Sequence, residues 1–228
     1  YLGDKNWTNF FYEAYLENNS SLKISNLSLN QSNNLNTSSY NFHLKDNSSL
    51  KFASINKGNS KKDLRVFLNG NNATTNIKGM LLSREEETSD VFCKVTHNNT
   101  NTKSNQDWRM ISSDHSKTSL NGKIRIIKSS KKSSGNFLSK SLLLNDKSSS
   151  ISKPELEIFE DEVSCSHGSS VGEIEKEKLF YLQSRGLSRT QAIRVLVLAF
   201  INELEFNDKN VEENFIKDID DMFSRQDL

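Results

Sequence analysis

Residues 153–168 read KPELEIFEDEVSCSHG. Leu156 and Ile158 stand two residues apart among charged neighbours, which is the period of a half-buried β-strand. Pro154 is the only proline of the chain. Because proline fixes φ and restricts the residue before it, Pro154 predicts the approach to a strand with Lys153 held extended.

The same short alternation recurs upstream, from about residue 22 onward. Groups rich in Asn, Ser, Gly or Lys, such as residues 69–72 and Asn121–Gly122, separate the apolar pairs and are typical of turns. This pattern predicts many short strands, but periodicity alone fits a sandwich, a barrel or a parallel β-helix. The apolar groups are Leu22/Ile24, Tyr40/Phe42/Leu44, Leu50/Phe52, Leu64/Val66/Leu68, Val91/Cys93/Val95, Ile124/Ile126 and Leu156/Ile158.

Downstream of about residue 172 the pattern changes to that of helices. Residues 173–185 are rich in helix formers, and Gly186 is placed to end that helix. Ser188 and Gln191 form a capping box that predicts a second helix with its body over residues 192–206. A third helix is expected after an N-cap at Asn210, with one apolar stripe made of Val211, Phe215, Ile219, Met222 and Phe223.

These changes of pattern predict three parts. Residues 1–20 are interpreted as an N-terminal segment left from a longer N-terminal region, and their aromatic residues fit a strand or a helix end. Residues 21–168 form the β core, and residues 169–228 form a small helical domain.

Composition excludes some classes of function. The 30 basic and 29 acidic residues give a net charge of +1, which argues against nucleic-acid binding. The longest apolar run, residues 195–201, is too short to span a membrane. Cys93 and Cys165 allow at most one disulfide, which favours a reducing compartment.

The stretch quoted first closely resembles the signature of the SufB/SufD family of SUF iron–sulfur cluster assembly proteins. The resemblance extends over about residues 83–206 and includes LFYLQSRGL at 179–187, NGKI at 121–124 and SLLL at 141–144. The Cys-Ser-His-Gly form of residues 165–168 is SufD-like. A SufB-type cysteine would fall near Ser139, and no cysteine lies between Cys93 and Cys165.

This resemblance implies a right-handed parallel β-helix core followed by a small α-helical C-terminal domain. It also implies a non-catalytic scaffold subunit that pairs with SufB through the β-helix and docks the SufC ATPase through its helices. The docking residues expected on that basis are Leu179, Phe180, Tyr181 and Arg185. The chain has no Walker motif, so ATP hydrolysis is expected in SufC. The implied location is the bacterial cytoplasm, or a plastid-type organelle in a eukaryote.

Cys165 and His167 are the candidate metal ligands. They share one face if their segment is a strand, and imidazole and thiolate both bind iron. Two ligands cannot complete a tetrahedral site. The resemblance implies that His167 lies at an iron or cluster site shared with SufB, with Cys165 as a second candidate. It implies no cofactor in the isolated chain, only transient iron or a nascent cluster, and leaves open whether a flavin binds the complex.

Other interpretations compete with this one. Cys165 is also explained as a small core residue and His167 as a hydrogen-bonded turn residue. A catalytic group could be drawn from His97, His115, Thr96, Gln106 and Asp114, although polar residues at solenoid turns more often satisfy backbone groups. A polysaccharide-acting β-helix enzyme would need a groove of paired carboxylates or basic residues on successive coils, and residues 22–126 carry no such acidic ladder. A SufB-like paralogue is the remaining alternative.

Overall fold

The computed structural model describes residues 6–29, 34–204, 216–217 and 219–220. Within them the backbone forms twelve strands and two regular helices. In chain order these are β1 (Trp7–Leu16), β2 (Ser21–Leu29), β3 (Leu35–Leu44), β4 (Ser49–Lys57), β5 (Ser60–Leu68), β6 (Thr74–Ser83), β7 (Thr88–His97), β8 (Lys103–Ser112), β9 (Lys117–Ile126), β10 (Ser133–Leu143), β11 (Ser149–Ile158), β12 (Val163–Glu173), α1 (Lys176–Ser184) and α2 (Arg189–Asn202).

The strands wind into a β-helix of six coils, each of which gives one strand to each of two parallel sheets. Sheet A has the order β1-β3-β5-β7-β9-β11, and sheet B has the order β12-β10-β8-β6-β4-β2. This confirms the prediction of a mainly β chain with a parallel β-helix core and helices after it. The strands extend beyond the predicted core limits of 21 and 168, because β1 pairs with β3 from Trp7 onward and β12 continues to Glu173.

Parallel pairing stacks equivalent positions of successive coils, so inward-facing side chains form columns in the interior. One such column consists of Phe42, Val66, Val95 and Ile124, which are paired in register and fully buried. Cys93 is buried in the neighbouring column, as its alternation with Val91 and Val95 predicts. The core is therefore a narrow stack of apolar rungs between the two sheets.

Two glycines make room for large rings in this interior. Trp108 and Phe137 are buried, and a Cβ atom on Gly79 or Gly122 would overlap the ring of Trp108 or Phe137 respectively. Gly122 lies in the middle of β9. The prediction of a turn at Asn121–Gly122 is therefore wrong, because the glycine there is the small residue that faces Phe137 and not a turn former.

Asparagines hold one corner of successive coils. Asn19, Asn47, Asn72 and Asn101 have φ angles of 61°, 55°, 59° and 53°, a left-handed conformation that asparagine tolerates well. Their side-chain amides form a ladder with N–O distances of 3.1, 2.8 and 2.5 Å. The turn predicted at residues 69–72 is confirmed, and its asparagines also bind one coil to the next.

The helices pack on the outer face of sheet B. The predicted capping box of Ser188 and Gln191 begins α2, and Gly186 follows α1 with a φ of 94°. A second apolar cluster joins the helices to sheet B, and its buried members are Ala53, Ile55, Met80, Leu82, Ile111, Leu179, Ala192, Ile193, Val197, Ile201, Leu204 and Ile219. Apart from Ile219, the predicted stripe of the third helix and its cap at Asn210 lie outside the described residues.

Candidate functional site

The strand β12 carries both predicted metal ligands. In the register with β10, Cys165 pairs with Gly135 and His167 pairs with Phe137. Both β10 residues are buried in the interior, and partners in a parallel sheet point to the same face. Cys165 and His167 therefore both face the interior of the last coil, which confirms that they share one face.

The last coil is open in the described part of the chain, where β11 pairs with β9 and β12 pairs with β10. Inward-facing residues are therefore accessible here: His167 is exposed and Cys165 is half-buried. Ile158 and Val171 occupy inward positions too, yet they are 42% and 50% exposed. We call this opening the C-terminal mouth, and it is lined by Leu156, Ile158, Cys165, His167, Ser169 and Val171.

A short chain of serine hydroxyls enters the C-terminal mouth from inside. Ser139 Oγ lies 2.6 Å from Ser152 Oγ and donates a hydrogen bond to Ser169 Oγ at 3.2 Å. These residues belong to β10, β11 and β12. No sequence pattern indicates this group, because its members lie 13 and 17 residues apart on three different strands.

The predicted docking residues divide into a packing residue and an exposed patch. Leu179 is buried against sheet B and holds α1 in place. Phe180 and Tyr181 are 74% and 56% exposed, and the Arg185 guanidinium lies 5.3 Å from the Tyr181 ring centroid. We call the exposed apolar residues of the two helices, Phe180, Tyr181 and Val195, the helical patch. Tyr181 and Val195 line one surface groove, and Phe180 lines a separate one.

The family model for the SUF system FeS cluster assembly, SufBD core domain, matches residues 2–200. The chain belongs to the SufBD family. The match covers all twelve strands, α1 and most of α2, so the family assignment made from the sequence resemblance is confirmed.

Three relatives illustrate the extent of this similarity. The iron–sulfur cluster assembly protein SufD of Escherichia coli is 35% identical over 137 residues, which are 60% of this chain and 32% of that protein. The SufBD family protein slr0076 of Synechocystis is 27% identical over 64% of this chain and 32% of its own length. The chloroplastic protein ABCI7 of Arabidopsis thaliana is 31% identical over 52% and 25%. The chain spans about a third or less of these curated relatives.

The candidate metal ligands Cys165 and His167 do not by themselves make a complete metal site. Burial raises the pKa of the Cys165 thiol, and a backbone hydrogen bond at Gly135 partly opposes this shift. A bound metal would therefore have to displace the thiol proton. Among the described residues, no group of three or more His, Cys, Asp or Glu side chains could hold a metal ion. Cys165 and His167 supply two of the four ligands that a tetrahedral site holds.

The alternative catalytic group is not assembled in this SufBD chain. His97 is buried, and its ring nitrogens lie 2.7 Å from Thr102 Oγ1 and 2.8 Å from Ser104 Oγ. Burial lowers the pKa of His97 to about 4, so the imidazole is neutral and satisfied by hydroxyls. His115 is exposed in the turn between β8 and β9, at the opposite corner of the coil. These positions support a structural role for His97.

None of the described helices combines the length and the apolar character that are required to cross a bilayer.

Proposed function

We propose that this chain acts as a SufD-like, non-catalytic scaffold subunit on which iron and sulfide are assembled into a cluster. The observation that carries the proposal is the placement of His167 and Cys165 on one accessible face at the C-terminal mouth. An imidazole and a thiol bind iron but cannot enclose it. Such a pair is suited to a site that a second subunit completes.

The proposed second subunit is SufB, bound at the last coil. Edge strands such as β11 and β12 present backbone groups that another strand can pair with. Ile151, on the outer side of the edge strand β11, and Phe159, which follows that strand, are 66% and 58% exposed and add apolar surface beside Ile158. Accessible apolar side chains around an open sheet edge support a protein interface there. A subunit of the same fold would continue the β-helix and bring its own ligands to His167.

His167→Ala tests the site within the complex of this chain with SufB and SufC, purified without oxygen. The complex should still form, because His167 is exposed and packs little. Bound iron and sulfide should fall about tenfold or more, since one ligand of the shared site is removed. Iron and sulfide per complex are the measured quantities. His115→Ala, which removes another exposed histidine, in the turn between β8 and β9 and not on β12, should leave both unchanged.

The outcomes distinguish the role of His167 from the scaffold function of the chain. If the complex forms and holds as much iron and sulfide with His167→Ala as without it, His167 is not a site residue. If the wild-type chain forms no complex with either protein, the scaffold function itself is wrong.

The helical patch is proposed to dock SufC. Replacing Phe180 and Tyr181 together by Ser should weaken SufC binding about tenfold or more, because exposed aromatic anchors dominate such interfaces. Binding of SufB should not change, since the C-terminal mouth is untouched. Ser184→Ala on the same helix removes a hydroxyl but none of the patch and serves as the control. Titration of each variant with SufC measures the effect, and equal affinities would exclude this patch.

We also propose a reducing location, the bacterial cytoplasm or a plastid-type organelle. Cys93 and Cys165 are both free thiols, as expected in such a compartment. The name of the Arabidopsis relative places that protein in the chloroplast. Membership of the SufBD family favours the scaffold function over a polysaccharide-acting enzyme.

A further inference from the structure

The hydroxyl chain at the C-terminal mouth joins the buried interior to the accessible surface. Ser139 is fully buried, Ser152 is partly buried, and Ser169 is exposed. Ser169 pairs in register with Ser139, so it faces the interior like His167. His167 and Ser169 are thus neighbours on one face of β12, about 7 Å apart along the strand.

The hydrogen bonds between the three serine hydroxyls run in one direction. A hydroxyl has one proton, and Ser139 uses its proton to donate to Ser169. In the shorter hydrogen bond, Ser139 must then be the acceptor. Ser152 therefore donates to Ser139, and Ser139 donates to Ser169. The proton of Ser169 is not needed within the chain. Because successive hydrogen bonds polarise one another, Ser169 is strengthened as a donor at the mouth.

We propose that Ser169 is a binding residue that donates a hydrogen bond to an anionic sulfide carried by the iron at His167. This inference rests on the proposed function. The imidazole of His167 is a ligand for a cation, whereas the Ser169 hydroxyl is a donor for the anion bound to that cation. Hydrogen bonds to the sulfur atoms of a cluster change its stability and its reduction potential. The pair therefore favours iron that already carries sulfide over the bare metal ion.

The strand supplies a matched control. Ser170 follows Ser169 and pairs with Lys140, so it points to the outer face of sheet B. Ser170→Ala removes the same hydroxyl from the same strand and is exposed in the same way, but on the opposite side. Any general effect of replacing serine in β12 should appear in both variants.

The experiment uses the complex with SufB and SufC, prepared without oxygen with Ser169→Ala, Ser169→Thr, Ser170→Ala or the wild-type chain. Each complex is loaded with ferrous iron alone, or with ferrous iron and sulfide. Ser169→Ala should bind iron alone like the wild type but lose the sulfide-containing cluster about tenfold faster, the effect of one hydrogen bond to a charged group. The cluster's reduction potential should become more negative, threonine should restore both properties, and Ser170→Ala should match the wild type.

Several results would overturn the proposal. Equal loss of iron alone and of the cluster in Ser169→Ala would show a general structural effect. An unchanged cluster lifetime and potential in Ser169→Ala, together with loss of iron in His167→Ala, would reject the role of Ser169 and leave the proposed function standing. If the wild-type complex holds neither iron nor a cluster, the proposed function and this inference both fail.

Discussion

Gly122→Ala should lower the free energy of unfolding by about 3 kcal/mol, which is at the upper end for overpacking of a filled core. The added Cβ would occupy the position of the buried Phe137 ring, which crosses the interior from β10 to β9. The ring is 1% exposed, and close-packed interiors leave few voids into which it could move. Urea unfolding followed by circular dichroism measures the change as a lower midpoint.

Two further variants test whether overlap with the Phe137 ring causes the loss of stability. Gly172→Ala, where an added Cβ meets nothing within 4 Å, should change the midpoint little. Phe137→Leu should destabilise the wild type but restore part of the stability that Gly122→Ala loses. The smaller leucine leaves free the space that the added Cβ needs. A Gly122→Ala protein as stable as the wild type, or additive effects of the two substitutions, would mean that the ring does not lie against Gly122.

The sequence predicted the strands that have one apolar and one polar face. In β5, β7 and β9 the buried positions alternate with more exposed ones, and the period-two pattern is visible. It fails for β6 and β8, whose second halves are buried on both faces because the helices cover sheet B. In β10 the inward positions include Ser133, Gly135, Ser139 and Ser141, so the interior itself is polar there. Periodicity cannot detect burial that a distant helix provides.

The site was predictable only where it is local. Cys165 and His167 lie two residues apart, and a strand is enough to place them on one face. The serine chain joins three strands through the register of the coils, which no local pattern encodes. His43 shows the same limit: its ring stacks between Tyr15 and Phe67 from adjacent coils at 4.6 and 4.8 Å, and no local sequence pattern brings these three residues together.

Lys62 is a buried charge that the sequence does not distinguish from the many exposed lysines. It faces the interior from β5, and its side chain is 2% exposed. The ammonium donates to Asn26 Oδ1 and Ser54 Oγ at 2.5 Å and lies 5.5 Å from the Tyr40 ring centroid. These groups are neutral. Because the ammonium is buried and none of these contacts is a carboxylate, the pKa of Lys62 is lowered from 10.5 to about 7.

Lys62→Met should therefore stabilise the protein at pH 7, by about 2 kcal/mol. Between about pH 7 and 10.5 the unfolded chain keeps the lysine proton and the folded chain loses it, so the free energy of unfolding increases with pH. The cost of burying the charged lysine is therefore a penalty on the folded state that is largest at or below pH 7. That penalty shrinks as the pH rises and disappears above the unfolded pKa. Methionine keeps the volume of the stem without the charge, and a buried charge replaced by an apolar side chain often stabilises a protein.

The difference in free energy of unfolding between Lys62→Met and the wild type, measured in urea from pH 7 to 10, should decrease steadily with pH. Tyr40 does not obscure this trend, because burial raises the pKa of its phenol and the group stays neutral. Lys61→Met, on the exposed face of the same strand, should show no such dependence. A Lys62→Met protein less stable than the wild type at pH 7 would show that the hydrogen bonds to Asn26 and Ser54 outweigh the burial of the charge. A stabilisation independent of pH would show that Lys62 stays charged when folded.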